Sequence, residues 1–504
     1  MQPITVLLLA GHRSTPGLLC DAYHEKYKSL IPVAGLPMIL HPLKSLAAHT
    51  RVAEILVLAQ EPEKLHKALS GHQPGNKVRF VKSSGSIANT VLSCINDYKL
   101  NYPILITTAD NCLLGVEDIE EFLDKAYKDP SDISVAFASK QNVLAAFPQV
   151  RRTWIPFRDT ELTGCNLFLL KSERSGELIR FWQTYENSPK KFLKLAMALG
   201  PGFFWNFIRK KLTMSEAFSR LSTIAGATVS PVLLDNPQVS IDADKYTDIL
   251  QIDQVLNKTG KVYSQRLPFE ETNGPVVIFD LDRTITRRGT YTPFLAYYAL
   301  NKQPWRLLFA PIIVILMLCY VLKLLDRKQL KSSMFGLLIG KPGQKELENV
   351  CQAFVDETLD KHVYPEALYT IREWQKKNAR LVLATASYDW MATLFASRLM
   401  IDTVIATRSF VKNGKVVAGV VGENCYGQAK RTMIYNAIGP LLNSVDHPRD
   451  IWFYTDHHSD IPMLSSCNHP VGVNTTHKLA NWIKSRPDGL LLDWYTPRTQ
   501  FAVK

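Results

Sequence analysis

No Cys-X-X-Cys pair occurs in this 504-residue chain, whose eight cysteines stand far apart at 20, 94, 112, 165, 319, 351, 425 and 467. That scatter excludes a disulfide framework or a cysteine zinc site and implies reduced thiols in a cytoplasmic protein. Repeats and low-complexity tracts are also missing, as expected of an ordinary globular chain. The first residues lack a secretory pattern: Ile4–Leu9 reads as a short strand with no basic region before it. Acid is scarce relative to base, with 46 Asp and Glu against 59 Lys and Arg, for a net charge of +13. The excess favours anionic partners such as nucleotides, phosphorylated substrates or acidic lipid surfaces, without choosing among them. Nucleic acid is not an expected partner.

The length calls for two or more domains, each with its own core, and 46% hydrophobic residues can supply them. A polar stretch with Gly and Pro breakers, residues 257–274, reads as a linker. Before it, residues 1–256 alternate strands and helices, the pattern of a parallel-sheet α/β domain. After it, 275–504 opens on the most informative run in the chain, Val276-Val277-Ile278-Phe279-Asp280-Leu281-Asp282-Arg283-Thr284. Four apolar residues predict a buried strand. Continued extension would put Asp280 and Asp282 on one side of it, close enough to share a Mg²⁺.

A strand ending in D-x-D-x-T resembles motif I of the haloacid dehalogenase (HAD) phosphatases. The resemblance implies Asp280 as nucleophile, Asp282 as acid/base, both as Mg²⁺ ligands, and Thr284 as support for the loop and the bound phosphate. Three further motifs follow in the family's order. Leu381–Thr385 is similar to motif II, with Thr385 donating to phosphate and Ser387 either helping or capping the next helix. Cys425-Tyr426-Gly427-Gln428-Ala429-Lys430 matches the C-x-G-x-x-K form of motif III, with Lys430 neutralising phosphate charge. Ile451–Asp460 resembles motif IV; Asp456 would bind Mg²⁺, and Asp460 would hold Lys430 or a metal water. His457 and His458 read as loop residues, since adjacent histidines should point apart and Mg²⁺ prefers oxygen. The implied subclass includes phosphoserine phosphatase and phosphatidylglycerophosphatase C-like proteins, with a helical, strongly apolar cap inserted at about 290–370.

The first half opens with Ile4–Arg13, then Lys28-Ser29-Leu30-Ile31-Pro32-Val33-Ala34-Gly35-Leu36-Pro37-Met38. A strand, a glycine turn, an arginine and K-x-L-x-P-V-x-G-x-P-M resemble the signature loop of nucleotidyltransferases, in the branch of molybdenum-cofactor guanylyltransferase. This implies Gly11 approaching a triphosphate, with Arg13 and Lys28 neutralising it. Asp110 would bind Mg²⁺, completed by Asp242 or Asp244, and Gly164 and Asn166 would line the acceptor pocket. Ser84 and Gly85 would touch a base or ribose, or belong to an ordinary helix cap. His12 and Ser14 depart from the small residues common in that family. The two resemblances together imply two Rossmann-like three-layer α/β/α domains.

Leu307–Leu322 is an apolar run of 16 residues, interrupted only by Pro311 and bracketed by Lys and Arg. A span needs about 20 residues. A single crossing would also separate Asp280 from Thr385, Lys430 and Asp456. The open readings are a buried cap helix, a subunit contact, or a hairpin at a membrane interface. Leu195–Lys211 shares its aromatic, basic-edged style.

The expectation is a bifunctional enzyme that uses Mg²⁺. Its first half would transfer a nucleotidyl group from a nucleoside triphosphate, CTP by preference, to a phosphorylated small molecule or lipid headgroup. Its second half would hydrolyse a phosphomonoester, in CDP-alcohol type lipid metabolism. Its place would be the cytoplasm, with peripheral contact to the acidic inner face of the membrane as the alternative. A soluble small-molecule phosphatase with a nucleotide-binding regulatory first half is the rival.

Overall fold

The structure, a computed structural model, describes all residues except 1–2, 12–16, 73–74, 84, 149, 151, 187–199, 258–273, 443–449 and 495–504. Arg13, Ser84 and nearly all of the expected linker therefore lie outside the described residues, as does the start of the 195–211 segment. The chain divides into two compact units, Met1–Cys20 with Glu25–Tyr263, and Asp21–His24 with Ser264–Lys504. The eight cysteines are free thiols.

In the first unit seven strands lie in the order Val229–Leu233, Ile133–Ser139, Glu161–Leu170, Ile104–Thr108, Ile4–Leu9, Val52–Ala59 and Val78–Lys82, with Ile155–Pro156 paired beside Glu161–Leu170. Alternation along Ile4–Leu9 explains the layering. Ile4, Val6 and Leu8 pack with Leu40, Leu43 and Ile119, whereas Leu7 packs on the opposite face with Val91 and Cys94. Both faces are dry, so the strands read as near-continuous apolar runs. The sheet is mixed where a parallel one was expected. Glu161–Leu170 runs antiparallel to both neighbours, because after the helix Lys140–Ala146 the chain turns back through a hairpin with Ile155–Pro156.

The second unit has a seven-stranded sheet ordered Lys415–Val421, Thr403–Lys412, Arg380–Tyr388, Val276–Phe279, Ile451–Thr455, His469–Val473 and Leu490–Leu492. Only the first pair is antiparallel. Val276–Phe279 are fully buried, and Phe279 registers with Leu383 on one side and Tyr454 on the other. Motifs I, II and IV therefore end at one level, at the carboxyl edge of the central strands. Open α/β sheets bind ligands there. The helices Tyr291–Lys302, Ala310–Val321, Arg327–Leu338 and Gln344–Lys361 lie between the first and second of these strands, within the region expected for the cap.

The apolar run does not form a buried core helix. Pro304–Val321 is the described stretch long and apolar enough to cross a membrane, yet only 6% of it is buried.

Candidate active sites

Phe279 ends its strand, so Asp280 is the first residue beyond the sheet, with its N–H donating to the Tyr454 carbonyl at 3.0 Å. Lys430 rises from the first turn of the helix Gln428–Leu442, after Gly427 turns the chain at φ 59°. Its Nζ donates to Asp280 Oδ1 at 2.9 Å and Asp460 Oδ2 at 2.8 Å, and Thr455 Oγ1 donates to that same Asp460 oxygen at 2.7 Å. Burial drives the Asp280 carboxyl above its ordinary range; Lys430 opposes this, and Asp460, Asp456 and Asp282 add to it. Burial alone would lower the Lys430 ammonium, but Asp280 and Asp460 more than reverse that and hold it protonated. Asp456 is pushed up to about 6 by burial, with Arg283 opposing and Asp460 reinforcing.

Asp282 is held apart from this cluster. The strand has ended, and the chain turns through Arg283 at φ 61°, so the two-residue period of a strand does not apply. Asp282 Oδ1 accepts from Thr290 N–H and Oγ1, each at 2.7 Å, and Oδ2 from Ser387 Oγ at 3.3 Å. Donors occupy both of its oxygens. Its carboxylate thus contacts Thr290 and Ser387 where that of Asp280 contacts Lys430.

Thr284 is buried and its hydroxyl lacks a partner; Thr286 braces the loop instead, donating to the Leu281 and Arg288 carbonyls. Thr385 is likewise buried, and its hydroxyl accepts the Ser387 N–H at 3.1 Å. Ala386 and Ser387, rather than Thr385, line the cavity above Asp280, whose volume is about 710 Å³. His457 lines it too. The rings of His457 and His458 do not diverge: their centroids are 4.2 Å apart, because His457 turns back to cap Ser459.

Sequence reasoning missed the wall contributed by the cap. Lys331 is buried over the Tyr388 ring, 3.9 Å from its centroid, and donates to the Ala386 carbonyl at 2.7 Å. Burial lowers its ammonium to about 7. Arg327 lies over the Tyr426 ring, and Met317 and Tyr320 close the cavity on the apolar side. Helical spacing alone could not aim these side chains at motif I.

Among the described residues no three His, Cys, Asp or Glu side chains form a ready metal cluster. The donor set nevertheless suits a hard cation. Asp280 and Asp456 offer only oxygen, Asp460 Oδ1 is buried without a partner among the described residues, and the charge of Asp460 raises both Asp280 and Asp456.

In the first unit, pairing of Leu9 with Thr108 brings Gly11 and Asp110 to one sheet edge. Lys28 Nζ lies 2.5 Å from both Asp110 Oδ2 and Asp244 Oδ1. Burial opposes its charge, yet Asp110 and Asp244 leave it firmly protonated. Asp242 is turned away, paired with Arg152 and accepting from Asn166 at 3.3 Å. Of the two alternatives, Asp244 is thus the one that joins Asp110. Among the described residues Asp110 Oδ1 is buried without a partner, which suits a cation there. Asn166 sits at φ 49° on an irregular stretch of strand. Beside Gly164 the space is open, and a Cβ on Gly11 would come within 3.1 Å of Gln60. Gly85 takes φ 68° just before Ser86, which caps the helix Ile87–Asp97. Asp253, also missed, accepts the Ala34 N–H at 2.6 Å and so holds the turn of the signature loop.

Residues 277–465 match the haloacid dehalogenase-like hydrolases, so this part of the chain is a hydrolase domain of that family. Protein CicA of Caulobacter vibrioides is 28% identical over 167 residues, covering 33% of this chain and 73% of that protein. A hypothetical transferase from Thermus thermophilus is 22% identical and covers 49% of this chain and 100% of its own, with a TM-score of 0.43. A probable phosphoserine phosphatase from Vibrio cholerae is 14% identical, covers 49% of this chain and 68% of its own, and has a TM-score of 0.33.

Lys430→Met leaves Asp280 and Asp460 buried together without their cation. In metal-free protein it should lower unfolding stability by about 3–5 kcal/mol, measured by denaturant titration, and added Mg²⁺ should restore part of the loss. Because Asp456 ionises only above about 6, Mg²⁺ affinity by calorimetry should fall about tenfold per pH unit below that value. Asp456→Asn should bind more weakly and show a shallower decline over the same range, the remainder coming from Asp280.

Proposed function

We propose that the second unit is a Mg²⁺-dependent phosphomonoesterase with Asp280 as nucleophile. The observation that carries this reading is the buried lysine joining Asp280 to Asp460 at the floor of a cavity that Asp282 enters separately. Asp280 attacks phosphorus in line and forms an aspartyl-phosphate, while the leaving alkoxide takes a proton from Asp282. Asp282 then takes a proton from the water that attacks the phosphorus, releasing orthophosphate and restoring Asp280. Thr290 and Ser387 aim the Asp282 carboxyl, and Lys430 orients Asp280 and offsets charge on the transferring group. Mg²⁺ at Asp280 and Asp456 would supply the remaining positive charge. Asp280→Asn should reduce orthophosphate release at least about 10⁴-fold, the scale of removing a nucleophile, with near-parent stability. Retained turnover would remove the assignment.

For the first unit the reading is nucleotidyl transfer from a nucleoside triphosphate, CTP by preference, to a phosphorylated small molecule or lipid headgroup. Lys28, Asp110 and Asp244 support it by grouping a cation with two carboxylates beside the glycine turn. Paired with a phosphatase, such a transferase suits CDP-alcohol type lipid metabolism. The placement is cytoplasmic, at the inner face of the membrane. The clasp of Lys28 on both carboxylates also suits the second reading, a nucleotide-binding regulator. Pyrophosphate release distinguishes the two: it should appear with triphosphate, Mg²⁺ and a phosphorylated headgroup, and vanish in Lys28→Ala and Asp110→Ala. Nucleotide binding without pyrophosphate would favour the regulator.

A further inference from the structure

The helical stretch Pro304–Val321 leaves the hydrolase domain and returns to the same side of it. At its start, Arg306 donates to the Gly336 and Leu337 carbonyls at 3.0 and 2.8 Å. Just past its end, Lys323 stops the helix at φ 59°, and Lys328 donates to the Gly422 carbonyl at 3.1 Å. Both ends are tied to one domain, so the helix cannot cross a bilayer.

Its two faces differ in surroundings rather than in chemistry. Ile313, Met317 and Tyr320 fall on one stripe at helical spacing; Ile313 is buried, and Met317 and Tyr320, each 38% exposed, line the cavity above Asp280. Around the rest of the helix Ile312, Val314, Ile315, Leu318 and Val321 are 44%, 65%, 59%, 58% and 72% exposed. Water is a poor solvent for such a face. Charge identifies what covers it. From Lys302 to Lys331 the sequence holds six basic residues and one acid, Asp326. Lys302, Lys323 and Lys328 are exposed around the apolar stripe, and Trp305 is 55% exposed at its start. An apolar face with an aromatic end and a basic rim fits the headgroup boundary of an anionic leaflet.

We propose that Pro304–Val321 lies in the plane of an anionic lipid leaflet as a one-sided anchor, and that its inner stripe forms the lip through which the catalytic cavity opens to that surface. The docking deepens the phosphomonoesterase reading but is measured without catalysis.

Full-length protein is sedimented with phosphatidylcholine vesicles, with and without phosphatidylglycerol. Binding should require the anionic lipid and weaken as salt is added. The double variant Val314→Glu with Leu318→Glu should lose about tenfold or more in vesicle affinity. Lys323→Glu should lose less and respond less to salt. Both should keep parent turnover of the soluble ester p-nitrophenyl phosphate, which shows that the fold is intact. Parent protein that stays in the supernatant with anionic vesicles at low salt would overturn the proposal. So would a lipid-free dimer that the double variant dissociates, since a second copy would then be what covers the helix. Vesicle binding without p-nitrophenyl phosphate turnover in the parent would support the docking and count against the phosphatase reading alone.

Discussion

One buried ammonium sets the terms for the hydrolase domain. Lys430 is held between Asp280 and Asp460 with almost no access to water. Both carboxylates depend on that single cation, and at least one of them is needed to keep it charged there. Everything around it serves that placement. The parallel register ends the flanking strands at one level, Gly427 turns the chain so that a helix begins beneath them, and Thr455 fixes the far carboxylate. On the proposed reading, such a network would keep the Asp280 carboxylate oriented toward incoming phosphorus without reorganisation at the moment of attack.

The first unit repeats the device with looser burial. Lys28 spans Asp110 and Asp244 at a sheet edge, while Arg152 draws Asp242 away. In both units a lysine satisfies carboxylates that a divalent cation would otherwise compensate. Among the described residues one oxygen is left buried and unpartnered beside each lysine, on Asp110 and on Asp460. Shared chemistry of this kind follows from shared demands: binding a phosphate ester needs positive charge, and stable apo protein needs that charge neutralised.

Much of this was legible from residue order. Val276–Phe279 followed by Asp280 announced both a buried strand and its carboxyl edge, since four apolar β-formers before an acid leave few other arrangements. The C-x-G-x-x-K match singled out Lys430, which the structure sets in the first turn of Gln428–Leu442. What escaped depended on side-chain direction after regular structure ends. Asp282 lies beyond its strand, so its orientation comes from Thr290, across a loop, and from Ser387, 105 residues on. The same holds for Thr286, which braces the loop where Thr284 was expected to, and for His457, which folds back on Ser459. Hydropathy marked Leu307–Leu322 as apolar, but whether such a run is buried depends on what the rest of the chain lays over it. The mixed sheet of the first unit was hidden for a similar reason. A hairpin return and a crossover can leave almost the same pattern in a strand buried on both faces.

The central claim is that Asp280 itself carries the phosphoryl group. Borohydride trapping during turnover, followed by peptide mass spectrometry, tests it most directly, because reduction of an acyl phosphate converts the aspartate to homoserine. The account predicts homoserine at position 280, formed only in the presence of substrate. Orthophosphate release with Asp280 unmodified and another residue labelled would contradict it.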